Sequence, residues 1–592
     1  MLEKHEKVKI NNHTRETYTE LLLQVNSREG EKWASFELFF SPQSPIRKLN
    51  AWIQDTSGRI IRKLDKKEIH DRSAFFYGSF YSDGMLRCFD FRFNQYPYQI
   101  HVDYTQDADQ FMLISRWSPV FDLNIPTFHA SLTMEVPTGY LVSVFSQGIL
   151  PAMTDTVDEM IRYTWKGGYS RVLKTQAWSP PIKDLVPGVV VVPLNFKYGI
   201  AGSMASWEEF GAYLDRLNNP LEDLPPEETL RVGELVRGIA DTLERIRTLY
   251  RYIQENTHYL SVSIDIGGIK PYPVSFVARN KYGDCKALTL YMKSILASAG
   301  ISSYYTIVQG GDRPEWIDRT FPSSHWFNHA ILCIPIGGDT IWLDCTRRNG
   351  PVSLLSDYIQ GRPALVVAGQ RSRLCNIPML SEDEVAKSTL IRITGTDGIK
   401  IKASVRIDSR GPGFEELLRI SVCDDWERQK KMVTEQIPAD DAELTSFTFT
   451  GSSGNSHEIT MNADYRYPDR TRSVPGRIVI AVPPADLPEF EKSSNREQPV
   501  FLPHPIWHRD TLACEINWGE DVQIPPPTER SCEAGYYKIS AYRQGTRVVY
   551  CREIKLHRGL YPMNQYPSLF AWVGSLRAYE RQNKIIFNDI HE

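Results

Sequence analysis

From the start of the chain to about residue 200, hydrophobic and polar positions alternate. Tyr98, Ile100, Val102 and Tyr104 are separated by Gln99, His101 and Asp103; Phe128, Ala130, Leu132, Met134 and Val136 are separated by His129, Ser131, Thr133 and Glu135. A period of two marks strands with one buried and one wet face. Turn-forming runs such as Thr56-Ser57-Gly58, Pro137-Thr138-Gly139 and Lys166-Gly167-Gly168 divide these strands at short intervals. That spacing predicts an antiparallel sandwich or barrel rather than βαβ units. Residues 1–205 therefore read as a β-sandwich domain, and nothing in it has a catalytic pattern.

At Ser206 the period lengthens to that of a helix. Ser206 followed by Glu209 fits a capping box, and Trp207, Phe210, Leu214 and Leu217 share one face until Asn218-Asn219-Pro220. The connector Leu224-Pro225-Pro226-Glu227-Glu228 leads into a longer helical pattern through Leu243, Ile246, Tyr250 and Ile253. After a short stretch from Tyr259 to Ile264 and the turn-rich Gly267-Gly268-Ile269-Lys270-Pro271-Tyr272-Pro273, another helix begins at Cys285. Leu288, Tyr291, Met292, Ile295, Leu296 and Ala299 give it one apolar stripe, and Gly300 is placed to end it. Strands are predicted from Tyr304 to Val308, His329 to Ile334 and Thr340 to Leu343. Residues 206–370 form a second, mixed domain.

Alternation returns after residue 371, with Ile399, Ile401, Ala403, Val405 and Ile407 set against Lys400, Lys402, Ser404 and Arg406. Asp464 to Arg472 is polar and reads as loop, Val548 to Leu556 as strand, and Ser568 to Tyr579 as helix. Residues 371–592 are thus a C-terminal β-rich region of one or two units, and the predicted fold class is multidomain α+β.

Composition acts mainly by exclusion. At 592 residues the chain exceeds a single hydrophobic core, and roughly three or four domains are expected. A net charge of -4, without a basic run, offers nucleic acid no electrostatic footprint. No apolar run approaches the ~20 residues of a membrane span; the best, Val189 to Leu194, is interrupted by Pro193. The charged first residues lack the apolar segment of an export signal. Cysteines at 88, 285, 333, 345, 375, 423, 514, 532 and 551 are sparse and lack a CxxC pair. Neither a disulfide scaffold nor a zinc site is expected, and no metal or organic cofactor is implied.

Candidate chemistry centres on Tyr282-Gly283-Asp284-Cys285-Lys286. With Asp284 as N-cap, Cys285 is the first helical residue, where unpaired N–H groups and the helix dipole favour a thiolate. The Asp284 charge opposes this, but its capping role directs it at an amide, and Gly283 leaves the approach to the sulfur open. Ile336-Gly337-Gly338-Asp339 reads as a hairpin turn. Its register sets Asp344 opposite Ile331, on the same face as His329. Their Cα atoms would be diagonal neighbours at roughly 7–8 Å, within reach of a carboxylate–imidazole hydrogen bond. This is the arrangement of a Cys-His-Asp triad, in which the thiolate attacks, the imidazole moves the proton and the carboxylate fixes the tautomer.

Tyr282-Gly283-Asp284-Cys285-Lys286, Phe327-Asn328-His329 and Trp342-Leu343-Asp344-Cys345-Thr346 resemble the three signature segments of the transglutaminase-like cysteine hydrolase superfamily, whose core is papain-like. The whole chain looks like bacterial proteins in which that core lies between an N-terminal β-sandwich and a C-terminal β-rich domain. The resemblance implies Cys285 as nucleophile, His329 as general base and acid, Asp344 as orienter, and an extracytoplasmic location. One departure is Ala287, where such proteins often carry an acidic residue. For the oxyanion, the Cys285 backbone N–H is one candidate donor, and the side chain of Gln254, by analogy with papain-like sites, is another.

Several residues have blander readings. Cys333 and Cys345 sit in apolar strands as small hydrophobes. His325 rivals His329 as base but lies in a polar loop, His258 reads as a helix-end residue, and Asp284, Asp339 and Asp357 read as cap or turn residues. Trp316, Trp326 and Tyr272 would either wall a groove or simply pack. The function implied is an enzyme that forms a thioester from an amide of a peptide or protein substrate, with hydrolysis favoured over transfer to an amine. The alternative is an inactive scaffold or binding protein that works through its β domains.

Overall fold

Alternation at the start of the chain builds one long sheet, its strands in the order Met153–Val157, Met160–Tyr169, Thr127–Pro137, Glu3–Asn11, Thr14–Val25, Tyr98–Ala108, Ile46–Gln54 and Ile60–Lys63. The structure, a computed structural model, describes residues 1–11, 14–74, 81–263, 265–311, 317–354, 356–397, 400–451, 456–469, 477–515 and 521–588. Ile264, Trp316, Ile399 and residues 470–472 of the expected loop lie outside these. Two three-stranded sheets cover the long one, each closing its own core. Phe36, Leu38 and Phe89 pack on Leu23, Ile53 and Ile100; Trp117, Val189 and Val191 pack on Ile10, Leu132 and Trp165.

Two expectations change here. The sheet is not wholly antiparallel, because Glu3–Asn11 runs parallel to Thr127–Pro137; a period of two identifies the buried face but not the direction of the neighbour. Phe128 is 61% exposed, because the pairing slips between Thr127 and Ala130 and turns it away from the core.

All but the last residue of the apolar run Val189 to Leu194 lies in the strand Gly188–Pro193, which is buried on both faces. Val189 and Val191 enter the sandwich core, while Val190 and Val192 enter the core of the central unit. A strand that serves two cores has no wet face and therefore shows no alternation.

The central unit begins its helices at α1 (Trp207–Asn218), whose first turn is capped by Ser206. The Pro/Glu connector is itself the start of α2 (Pro226–Leu235), with Pro226 in the first turn where its missing N–H costs nothing. Then come α3 (Thr242–Asn256), α4 (Val274–Asn280) and α5 (Cys285–Ser298). The five-stranded sheet runs Asp339–Leu343, His329–Ile336, Tyr304–Val308, Pro363–Val366, Arg373–Asn376, so it extends past residue 370. The hairpin register is the predicted one, with Leu332 paired to Leu343 and Ile336 to Asp339. Gly337 and Gly338 both have positive φ, as the tight turn requires. The expected single stripe on α5 is an underestimate: Ala287, Thr289, Leu290 and Ser294 are buried together with the apolar face.

The C-terminal region is one unit around one core. Its eight-stranded sheet includes Ile459–Pro468, so the polar stretch read as loop from Asp464 is strand as far as Pro468. The sheet is covered by α6 (Pro412–Ser421), α7 (Trp426–Glu435) and α8 (Tyr566–Glu580). Among the described residues no helix is long and apolar enough to cross a membrane.

Residues far apart in the chain clasp the two flanking units together. Gln176 accepts from the amides of Glu497 and Gln498, both at 3.0 Å, and donates to Asn495 O at 2.9 Å. The fully buried Arg496 guanidinium donates to Ala177 O, Gln498 O, Pro499 O and Glu491. Trp178 packs against the C-terminal core. We expect Arg496→Ala to cost about 2–3 kcal/mol through the acceptors it leaves unpaired. Amide hydrogen exchange at Glu497, Gln498 and Phe501 should accelerate; unchanged exchange would mean that the clasp contributes nothing.

Candidate active site

The position of Cys285 follows from the short connection before it. At the end of α4, Lys281 takes a left-handed conformation with φ 59°, and its N–H bonds to Val277 O. The chain then runs extended through Tyr282 and Gly283, pairing in parallel with His258 and Tyr259, before α5 begins. Asp284 caps α5 by accepting from the Ala287 N–H at 2.9 Å, and its other oxygen is paired with Lys286. The charge that would have opposed a thiolate therefore has its own counter-ion. Leu288 N–H goes to Asp284 O, which leaves the N–H groups of Cys285 and Lys286 outside the helical ladder. Gly283 serves packing rather than access: a Cβ there would stand 3.0 Å from Ala287 Cβ and 3.4 Å from Val277 Cγ2.

Cys285, His329 and Asp344 are brought together. His329 Nε2 lies 3.0 Å from Asp344 Oδ2, and Cys285 is near enough to the imidazole to help raise its pKa. With Nε2 on the carboxylate, Nδ1 is the nitrogen left for the sulfur. Asp344 is fixed from two further sides. Its Oδ1 accepts from Thr346 N–H at 3.0 Å and Thr346 Oγ1 at 2.7 Å, and its carbonyl accepts from the Tyr250 hydroxyl at 2.8 Å. Asn328 ties the start of the His329 strand to Gly310, donating to its carbonyl at 2.8 Å and accepting from its N–H at 2.6 Å. The Tyr358 ring meets the His329 ring edge-on at 5.8 Å.

Burial alone would lower the pKa of His329, but the Asp344 carboxylate, its hydrogen bond to the ring and the nearness of Cys285 reverse this and raise it well above the ordinary imidazole value. Burial alone would raise Asp344; the His329 charge and the hydrogen bonds from His329 and Thr346 hold it well below the carboxylate range. The two shifts describe one ion pair. Elsewhere burial outweighs what opposes it, pushing the Cys333 thiol up to about 11 against the Arg373 charge and Cys345 well above the ordinary range against a hydrogen bond to Thr289. Both are buried, as their apolar strands suggested.

Other candidates fall differently. Gln254 donates to Gly350 O at 3.2 Å, so its amide is committed to the loop after Asp344 and not to the sulfur. His325 Nδ1 lies 2.7 Å from Ser323 Oγ, with its ring against Trp326; Asp344 is engaged by His329 instead. Trp326 is buried and packs on Phe145 of the sandwich. Tyr272 stacks on Phe276, and His258 is exposed. The sequence did not reveal Tyr259, whose hydroxyl is pushed up to about 12 by burial and by the charge of Cys285. It reaches the site through a two-residue parallel pairing with Gly283 that leaves no periodic signal. Among the described residues no group of three His, Cys, Asp or Glu is arranged to hold a metal ion.

Two family models match parts of the chain. Residues 11–168 match a domain of unknown function with solved structure, DUF3857, and residues 477–587 match another, DUF3858. No curated protein matches. Among solved structures, a candidate protease from Parabacteroides distasonis is similar over 99% of this chain and 98% of its own, at 12% identity and a TM-score of 0.68. A candidate cysteine protease from Cytophaga hutchinsonii, also 12% identical, covers 61% of this chain and 86% of its own at a TM-score of 0.17. The first likeness is one of fold, extending across all three units; the second is too weak to carry an argument.

The ion pair has a measurable signature. Its contribution to stability is complete between the ordinary carboxylate and imidazole values, about 3.9 and 6.5. Below that window it is lost as pH falls through the depressed Asp344 pKa; above it, as pH rises through the raised His329 pKa. In Asp344→Asn the largest raising cause is gone and burial remains, so the His329 ring, followed by NMR, should titrate at lower pH than in the parent. An unshifted titration would contradict the pairing.

Proposed function

We propose that the chain is a transglutaminase-like cysteine enzyme with a papain-like core, acting on amide bonds of peptide or protein substrates. The observation that carries this reading is the chain of contacts from Asp344 through His329 to Cys285 at the first turn of α5. The thiolate adds to the amide carbonyl carbon, and the carbonyl electron pair moves onto oxygen. His329 gives its proton to the leaving nitrogen as the C–N bond breaks, and a thioester to Cys285 remains. His329 then takes a proton from water, the hydroxide adds to the thioester, and Cys285 leaves as thiolate with the carboxylic acid product. Hydrolysis is favoured over amine transfer because no residue pattern marks an amine acceptor.

The backbone N–H of Cys285 is the first oxyanion donor in this reading. Gln254 is committed to Gly350 and is not the second donor in this reading. The named likeness to a candidate protease adds weight through fold alone.

Cys285→Ala and His329→Ala should each abolish acyl-enzyme formation, read by intact mass after exposure to amide or ester acyl donors, while the circular dichroism spectrum is unchanged. Asp344→Asn should retain turnover lowered by roughly 10²- to 10⁴-fold. Near-parental turnover by Cys285→Ala would sink the proposal. Iodoacetamide alkylation of Cys285 with an ordinary apparent pKa of about 8.5, insensitive to His329→Ala, would favour a scaffold working through its β domains.

A further inference from the structure

A cavity of about 280 Å³ adjoins Cys285 and His329. It lies at the lower edge of the roughly 300–1,000 Å³ usual for small-molecule sites, a size for one or two side chains. Several parts of the chain wall it. Met112 and Tyr198 come from before residue 206, Phe210 and Leu214 from α1, and Ile307 and Phe327 from the central sheet and the loop before His329. Among the described residues no carboxylate lines it, and its cations, Lys286 and His329, are already paired with Asp284 and Asp344. The Asn328 amide is likewise occupied, by Gly310. What remains is a mainly apolar chamber whose lining carries three hydroxyl-bearing residues, Tyr198, Tyr305 and Ser324.

We infer that this cavity receives a large uncharged side chain of the acyl donor, aromatic or branched aliphatic, next to the carbonyl that Cys285 attacks. The inference rests on the reading of Cys285 as nucleophile. A charged side chain entering the chamber would shed its hydration and meet no free counter-ion. A glutamine amide has four hydrogen-bonding positions to satisfy, and it would meet walls that are mostly hydrocarbon. An apolar side chain has nothing to lose and gains the burial of its surface. Because Met112 and Tyr198 belong to the N-terminal part of the chain, this selectivity is a joint product of the sandwich and the central unit.

The test uses the full-length protein and a series of peptidyl acyloxymethyl ketones that differ only in the residue bearing the ketone: Phe, Leu, Ala, Gln, Asp or Lys. The rate of Cys285 alkylation is followed by intact mass. Phe and Leu probes should label at least about tenfold faster than Ala, with Gln, Asp and Lys no faster than Ala. Met112→Trp, which adds bulk to one wall, should bring the Phe rate to within about threefold of the Ala rate. If that variant does not fold, Ile307→Phe should give the same collapse. Equal rates across the series, a preference for Gln or a charged residue, or unchanged selectivity in the filled variants would overturn the pocket while leaving the nucleophile standing. Failure of Cys285 to react with any probe, or with iodoacetamide faster than an ordinary exposed thiol, would overturn the nucleophile and the pocket with it.

Discussion

A helix buried on nearly every side must still satisfy the polar groups at its ends, and α5 is such a helix. Its flanks lie against the sheet and the preceding helices, so its first turn is the part that must find polar partners. Asp284 takes one N–H, Lys286 balances Asp284, and the sulfur sits at this same turn, near the imidazole of the neighbouring strand. The chemistry of the site is thus an outcome of helix burial: the core concentrates its unavoidable polarity in one place.

The same requirement explains the strength of the His329–Asp344 pair. Both side chains are almost wholly removed from water, and neither charge would persist there alone. Thr346, Tyr250 and Asn328 hold the pair from outside, so the imidazole cannot turn without breaking contacts unconnected with the sulfur. Tyr358 adds a ring edge against the imidazole, and a Cβ at Gly310 would overlap that ring. The site is held by its surroundings more than by its own contacts.

Much of this was legible in the chain because it depends on local rules. The cap at Ser206, the stop at Asn218, the helix opening at Cys285 and the Gly337-Gly338 hairpin each combine a period with a punctuating residue, and the hairpin register alone set His329 near Asp344. What escaped depends on distant partners. Strand direction at Glu3–Asn11, the outward turn of Phe128, and the fifth central strand beyond residue 370 are fixed by neighbours remote in sequence. The commitment of Gln254 to Gly350 and the pairing of Tyr259 with Gly283 leave no trace in the sequence, because such contacts carry no period. The strand Gly188–Pro193 was visible only as an apolar run, since two cores share it.

The grip that residues 174–178 take on residues 491–501 changes what kind of object the polypeptide is. A linear chain whose outer thirds hold each other becomes a closed circuit with the reactive middle strung between them. Closing so long a loop is not expensive, because the entropic cost grows by only about 0.6 kcal/mol for each doubling of its length. Once joined, the flanks meet at the high effective concentration that a shared backbone confers. A proteolytic nick in either connection would therefore leave the molecule whole, its pieces retained by the remaining tether and the grip.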